Sequence, residues 1–149
     1  MPINARFVPA KELRPFGFSA VGGFFFFGAV MATFAAATLL KPGTALDRAW
    51  ALNPVAHVQL MSMGRLMGVP FLAVAFALLM AGVGWFRRRR WGWMLGTSLI
   101  VVNLIGDLAN AIQGERMKGV IGVVIAGLLL IYMTRPRMRS YFVRHGPAA

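Results

Sequence analysis

The chain has 149 residues, of which 58% are hydrophobic and only 13% charged, and its mean hydropathy is +0.68. A soluble domain is about 45–50% apolar and about 25% charged, so composition excludes a soluble globular enzyme, and disorder with it. There are 16 Lys and Arg against 4 Asp and Glu, and no Cys, which excludes disulfide frameworks, thiolate metal sites and Cys redox relays. What remains is a small basic integral membrane protein.

A helix needs roughly 20 apolar residues to cross a hydrocarbon core about 30 Å thick. The first predicted span covers about 16–40, between Arg14 and Lys41. Ala35-Ala36-Ala37 within it resembles a signal cleavage site. A signal's apolar core is about 7–15 residues and this run is longer, so the segment is read as retained. An outer loop follows over about 41–65. Lys41-Pro42-Gly43 breaks the helix, Asp47 is placed to cap a short interfacial helix carrying Trp50 and Leu52, and Asn53-Pro54 starts another. Gly64, Gly68 and Pro70 are the expected break points before the second span. The loop is expected to fold back as a cap over the outer end of the bundle.

The second span is predicted at about 66–86, the third at about 91–112 and the fourth at about 117–134, with a tail over 135–149. The four arginines at 87–90 leave only a tight turn between spans two and three, which makes those helices antiparallel neighbours. The expected fold is all-α: one domain, a polytopic bundle of four transmembrane helices with a partly helical outer loop.

Basic residues orient it. With the N-terminus in the cytoplasm, the inside holds Arg6, Lys11, Arg14, Arg87 to Arg90, Arg135, Arg137, Arg139 and Arg144, and the outside holds Lys41, Arg48, Arg65, Arg116 and Lys118. Eleven against five favours both termini inside and a bacterial cytoplasmic (inner) membrane as the location. Arg87, Arg88, Arg89, Arg90, Arg135, Arg137 and Arg139 are then expected to face anionic lipid headgroups, at about 1 kcal/mol per basic residue near the surface. Phe16, Phe18, Trp85, Phe86, Trp91, Trp93, Tyr141 and Phe142 mark the same boundary and read as an aromatic belt. A nucleic-acid partner would need a polar basic surface, and none is expected.

Small residues recur along every span: Gly28, Ala32 and Ala36; Ala73, Ala77 and Ala81; Gly92 and Gly96; Gly119, Gly122 and Gly127. Such rows let helices approach closely in lipid. They support a compact bundle that packs against itself as a homo-oligomer or within a larger membrane complex.

One stretch rises above packing. Asn103, Asp107 and Asn110 share a helix face at i, i+4 and i+7. A charged side chain at bilayer depth costs about 2.5–3.5 kcal/mol on insertion scales, so Asp107 should face the interior and have a partner. Arg65 stands at the same level and is the expected partner, with Lys118 second. His57, Gln113 and Glu115 would complete a polar cluster beneath the cap. The cluster reads either as a structural network or as a titrating, ligand-binding site.

His57, Met61, Met63 and Met67 have soft-metal chemistry, but Met63 leaves the shared face and Met commonly serves as packing. No metal and no cofactor is expected, and no catalytic motif is present.

The runs Leu46 to Pro54, Arg90-Trp91-Gly92-Trp93, Gly106-Asp107-Leu108-Ala109-Asn110 and Arg135 to Phe142 resemble those of an uncharacterised family of small bacterial four-helix integral membrane proteins. The resemblance implies this topology and carries no activity. Small multidrug exporters also have four short helices, but their acidic residue sits in helix one, where this chain has none. The expectation is therefore a non-enzymatic accessory or structural bundle, with a small transporter or small-molecule-binding protein as the alternative.

Overall fold

The computed structural model describes residues 15–43, 45–52, 54–112 and 116–144, apart from the side chains at 46, 49, 52, 55, 56, 110, 116, 118, 143 and 144. Every regular element among them is helical. α1 spans Phe18–Leu40, α2 Pro54–Ser62, α3 Gly68–Phe86, α4 Arg90–Ile112, α5 Arg116–Thr134 and α6 Pro136–Arg144, with 3₁₀ turns at Ala45–Leu52 and Arg65–Met67. Three stretches, Phe18–Leu40, Arg65–Phe86 and Arg90–Ala109, are long and apolar enough to cross a membrane. Gly119–Thr134 with Pro136–Phe142 makes a fourth if this pair, bent by 61°, is counted as one span.

Local chemistry sets the breaks. Gly17 and Gly64 adopt positive φ, at 86° and 91°, before α1 and before the turn that leads into α3. A residue with a Cβ is strained there. The break before the second span thus falls at Gly64. Asp47 was expected to cap the helix it begins; its Oδ2 instead accepts the Gly43 N–H at 2.6 Å, closing the turn that precedes it.

Between α3 and α4 the chain reverses through Arg87, Arg88 and Arg89. The Arg89 N–H donates to Gly84 O at 2.9 Å and the Arg88 N–H to Trp85 O at 2.9 Å. This crossed pair is the Schellman helix stop, whose left-handed position is usually a glycine. Here Arg88 takes it, at φ 54°, with its guanidinium 4.8 Å from the centre of the Tyr141 ring.

α1 packs on α3, α3 on α4 and α4 on α5. The end holding the arginine turn, called the arginine end below, is the densest part. Phe18, Phe25, Trp85 and Phe142 there are at most 2% exposed. Trp85 stacks on Phe18 with ring centres 5.4 Å apart, meets Phe142 at 4.7 Å, and its Nε1–H donates to Phe18 O at 2.8 Å. The Tyr132 hydroxyl donates to Phe16 O and so ties α5 to the start of α1.

This corrects the belt reading for four of its rings. Phe18, Trp85, Tyr141 and Phe142 are core, whereas Phe16, Phe86 and Trp91 are exposed. The cause is α6. The stretch read as a tail is a helix that turns at Arg135-Pro136 and lays Met138, Tyr141 and Phe142 against the arginine end, all buried. Arg135, Arg137 and Arg139 remain exposed on its other side.

Candidate functional site

α4 carries the polar stripe, and its rotation decides what the stripe meets. Near the arginine end, one face of α4 is fully used. A Cβ on Gly84 of α3 would lie 2.6 Å from the Gly92 Cα, and a Cβ on Gly96 would lie 2.6 Å from the Phe25 ring of α1. Asn103 stands seven positions beyond Gly96, two turns along the same face. It is nevertheless exposed. A Cβ on Gly106, one turn further, would meet nothing within 4 Å.

α3 shows the same divergence. Ala81 is buried, Ala77 half-buried and Ala73 exposed along a single row, and Val74 and Pro70 beside it are exposed. The α1/α3 pair and the α4/α5 pair therefore meet at the arginine end and part toward the far end. On the α1/α3 side of the opening lies an apolar groove of ≈ 340 Å³ lined by Met31, Ala32, Ala35, Pro70, Phe71 and Val74.

On the α4/α5 side lies the polar pair. The Asn103 Nδ2–H donates to Asp107 Oδ2 at 2.7 Å, as the i, i+4 spacing allows. Asp107 is half-buried because its carboxyl is turned to α5, where a Cβ on Gly122 would collide with it. Gly119 fits in the same way, its missing Cβ 2.6 Å from the Ala111 Cα. The glycine row of α5 is thus a notch that seats the carboxyl side chain. Gly122 was visible in the sequence only as one of a packing row, with nothing to match it to Asp107.

A double-mutant cycle checks the notch. Gly122→Ala is expected to cost about 1–3 kcal/mol by overpacking and distinctly less in an Asp107→Ala background, where the space is vacated. SDS-induced unfolding followed by circular dichroism gives both numbers. Equal costs in the two backgrounds would mean that the added methyl collides with something other than the carboxyl.

Among the described residues, the expected cluster does not come together as one site. Among the described residues no ion pair joins Asp107 to Arg65, and Asn103 is its hydrogen-bond partner. Arg65 sits exposed in the turn Arg65–Met67, which packs on α1 and α3. His57 lies in α2 and stacks on Trp50, ring centres 5.0 Å apart and 9° from parallel. Trp50 in turn donates its Nε1–H to the buried Thr38 hydroxyl at 2.8 Å. His57 Nε2 has no hydrogen-bond partner among the described residues. The cap thus docks on α1 through Trp50, a contact that Thr38 had not suggested because a hydroxyl in an apolar helix usually bonds its own backbone, as this one also does. Gln113, Glu115 and the side chains of Asn110, Arg116 and Lys118 fall outside the described residues.

At the other end Arg87, Arg89, Arg90, Arg135, Arg137 and Arg139 are all exposed, while Arg88 is half-buried over Tyr141. The turn and α6 lie close, since α6 packs on both α5 and α4. Met61 and Met63 are exposed on the cap.

Comparison with protein families, with curated proteins and with solved structures found no match.

Proposed function

We propose that this chain is a non-enzymatic, multi-pass membrane protein, an accessory or structural bundle whose open half is completed by another transmembrane segment. The observation that carries the reading is Asn103. It lies on the face that α4 buries at Gly92 and Gly96, yet it is exposed, roughly 20 Å along the helix from Arg90 at 1.5 Å per residue. In hydrocarbon, a polar group at that depth calls for a neighbour. Both termini are placed in the cytoplasm of a bacterial cell, with the arginine end against the anionic inner leaflet. The crown of exposed arginines supports that orientation.

The test is the particle released from membranes by a mild detergent. An assembly heavier than one 16.3 kDa chain with its detergent belt is expected in light scattering. A lone chain in detergent and in liposomes alike would refute the reading.

A second reading, a small transporter or small-molecule-binding protein, is favoured by the chemistry of the pair: a carboxylate and an amide at the mouth of an opening. Asp107→Asn separates the two. If the variant folds normally but abolishes proton flux into dye-loaded liposomes, the transport reading holds. If it mainly lowers the unfolding midpoint or the assembled fraction, the bundle reading holds.

A further inference from the structure

The open half of α4 has a chemistry that selects its occupant. An Asn side chain offers two N–H donors and a carbonyl oxygen with two lone pairs. Asn103 spends one N–H on Asp107 Oδ2. Among the described residues its second N–H and its carbonyl oxygen have no partner. Leaving both unmet in an apolar phase is costly, and Leu99 and Gly106, one turn to either side of Asn103 on its face, carry no polar side chain.

We propose that the segment completing α4 is α4 of a second copy of this chain, with the two Asn103 carboxamides pairing reciprocally across a two-fold axis. This rests on the bundle reading given above. A spare donor and a spare acceptor on one side chain are self-complementary, and a two-fold interface brings each patch to its own copy. The N–H of one copy meets the carbonyl of the other, twice. A segment that supplied only donors or only acceptors would satisfy half of the group. The two carboxylates do not oppose this arrangement, because each Asp107 is turned to its own Gly122 and Asn103 is the more exposed of the pair. Gly106, one turn on and touching nothing, lets the second backbone come close.

The chain has no Cys, so single-Cys variants report without background. Gly106→Cys is placed on the proposed interface, and Phe76→Cys, 65% exposed on α3, is the control. Each is purified, reconstituted at high lipid excess in vesicles of phosphatidylcholine and phosphatidylglycerol, and oxidised with copper phenanthroline. Gly106→Cys is expected to form a covalent dimer and Phe76→Cys is not. Adding Asn103→Leu should lower the dimer yield about tenfold, equivalent to about 1.4 kcal/mol. Asn103→Gln keeps the amide and should retain most of the yield, which also guards against a variant that merely misfolds.

Equal yields from Gly106→Cys and the control would overturn the proposal, as would an undiminished yield in an Asn103→Leu variant of normal helicity. The same Gly106→Cys variant in native membranes, treated with a bifunctional maleimide, separates two kinds of failure. A crosslink to a different protein, with a monomeric purified chain, refutes the second copy and leaves the bundle reading standing. No crosslink in either setting refutes both.

Discussion

Gly92→Ala is expected to cost about 3 kcal/mol or more, and Gly92→Val to leave little folded protein to purify. The added Cβ would run into the backbone of Gly84 and lie 2.7 Å from the Trp85 amide nitrogen. A collision with the end of a flexible side chain is relieved by a change of rotamer, but backbone has none to change. Overpacking a core commonly costs 1–3 kcal/mol, and this crossing should lie at or above the top of that range. α3 and α4 cannot simply slide apart, because the turn through Arg87 to Arg89 ties them within a few residues of the contact. Gly127 is the internal control. A Cβ there meets nothing within 4 Å, and Gly→Ala in a helix interior is worth up to about 1 kcal/mol in propensity. Gly127→Ala should therefore match or exceed the parent in SDS unfolding. A Gly92→Ala variant within 1 kcal/mol of the parent would show the crossing to be looser than described.

Trp85→Ala should be the most damaging truncation of a side chain, at about 3–5 kcal/mol. The ring is fully buried and touches α1 through Phe18 and Phe25 and α6 through Phe142. Between apolar helices in a bilayer, expulsion from water contributes little, and close packing with a few hydrogen bonds carries the association. Removing the indole deletes contacts to two helices at once and opens a void that rigid neighbours cannot close. Trp85→Phe keeps most of the volume but loses the hydrogen bond to Phe18 O, worth about 0.5–1.5 kcal/mol, so its loss should be distinctly smaller. The two variants should also differ locally. In Trp85→Ala, α6 loses its anchor and trypsin should cut faster at Arg137 and Arg139. Unchanged cleavage alongside a large stability loss would mean that α6 docks without Trp85.

The sequence made the helical segments legible because charges bracket them. Arg65, Arg87 and Lys41 end apolar runs within a few residues of where α1 and α3 begin and end. It placed the antiparallel turn as well, since four residues admit no other course. It did not reveal rotation about the helix axis. Counting residues along the spans put Arg65 and Asp107 at one level, and level alone suggested an ion pair. The direction in which each side chain leaves its helix depends on which faces the neighbours cover, so Asp107 turned to Gly122 instead. The same limit applies to the glycines: Gly84 was in no small-residue row yet makes the closest crossing, while Gly127 was in one and touches nothing. For α6 the signal was present and outweighed. Met138, Tyr141 and Phe142 have the i, i+3, i+4 spacing of a buried helix face, but Arg135, Arg137 and Arg139 crowd its start and drew the reading toward a solvated tail.

The contacts that close the arginine end also impose an order on synthesis. The Tyr132 hydroxyl reaches a carbonyl 116 positions earlier, and Trp85 one that is 67 positions earlier. At ribosomal rates of about 5–20 residues per second, the first helix waits on the order of 10 s before the helix that ties down its start exists. Phe18 lacks its cover of Tyr141 and Phe142 for that interval. The arginine end thus closes only with the last helix, and a nascent chain stalled before Pro136 leaves the Phe18 and Trp85 rings without their α6 cover.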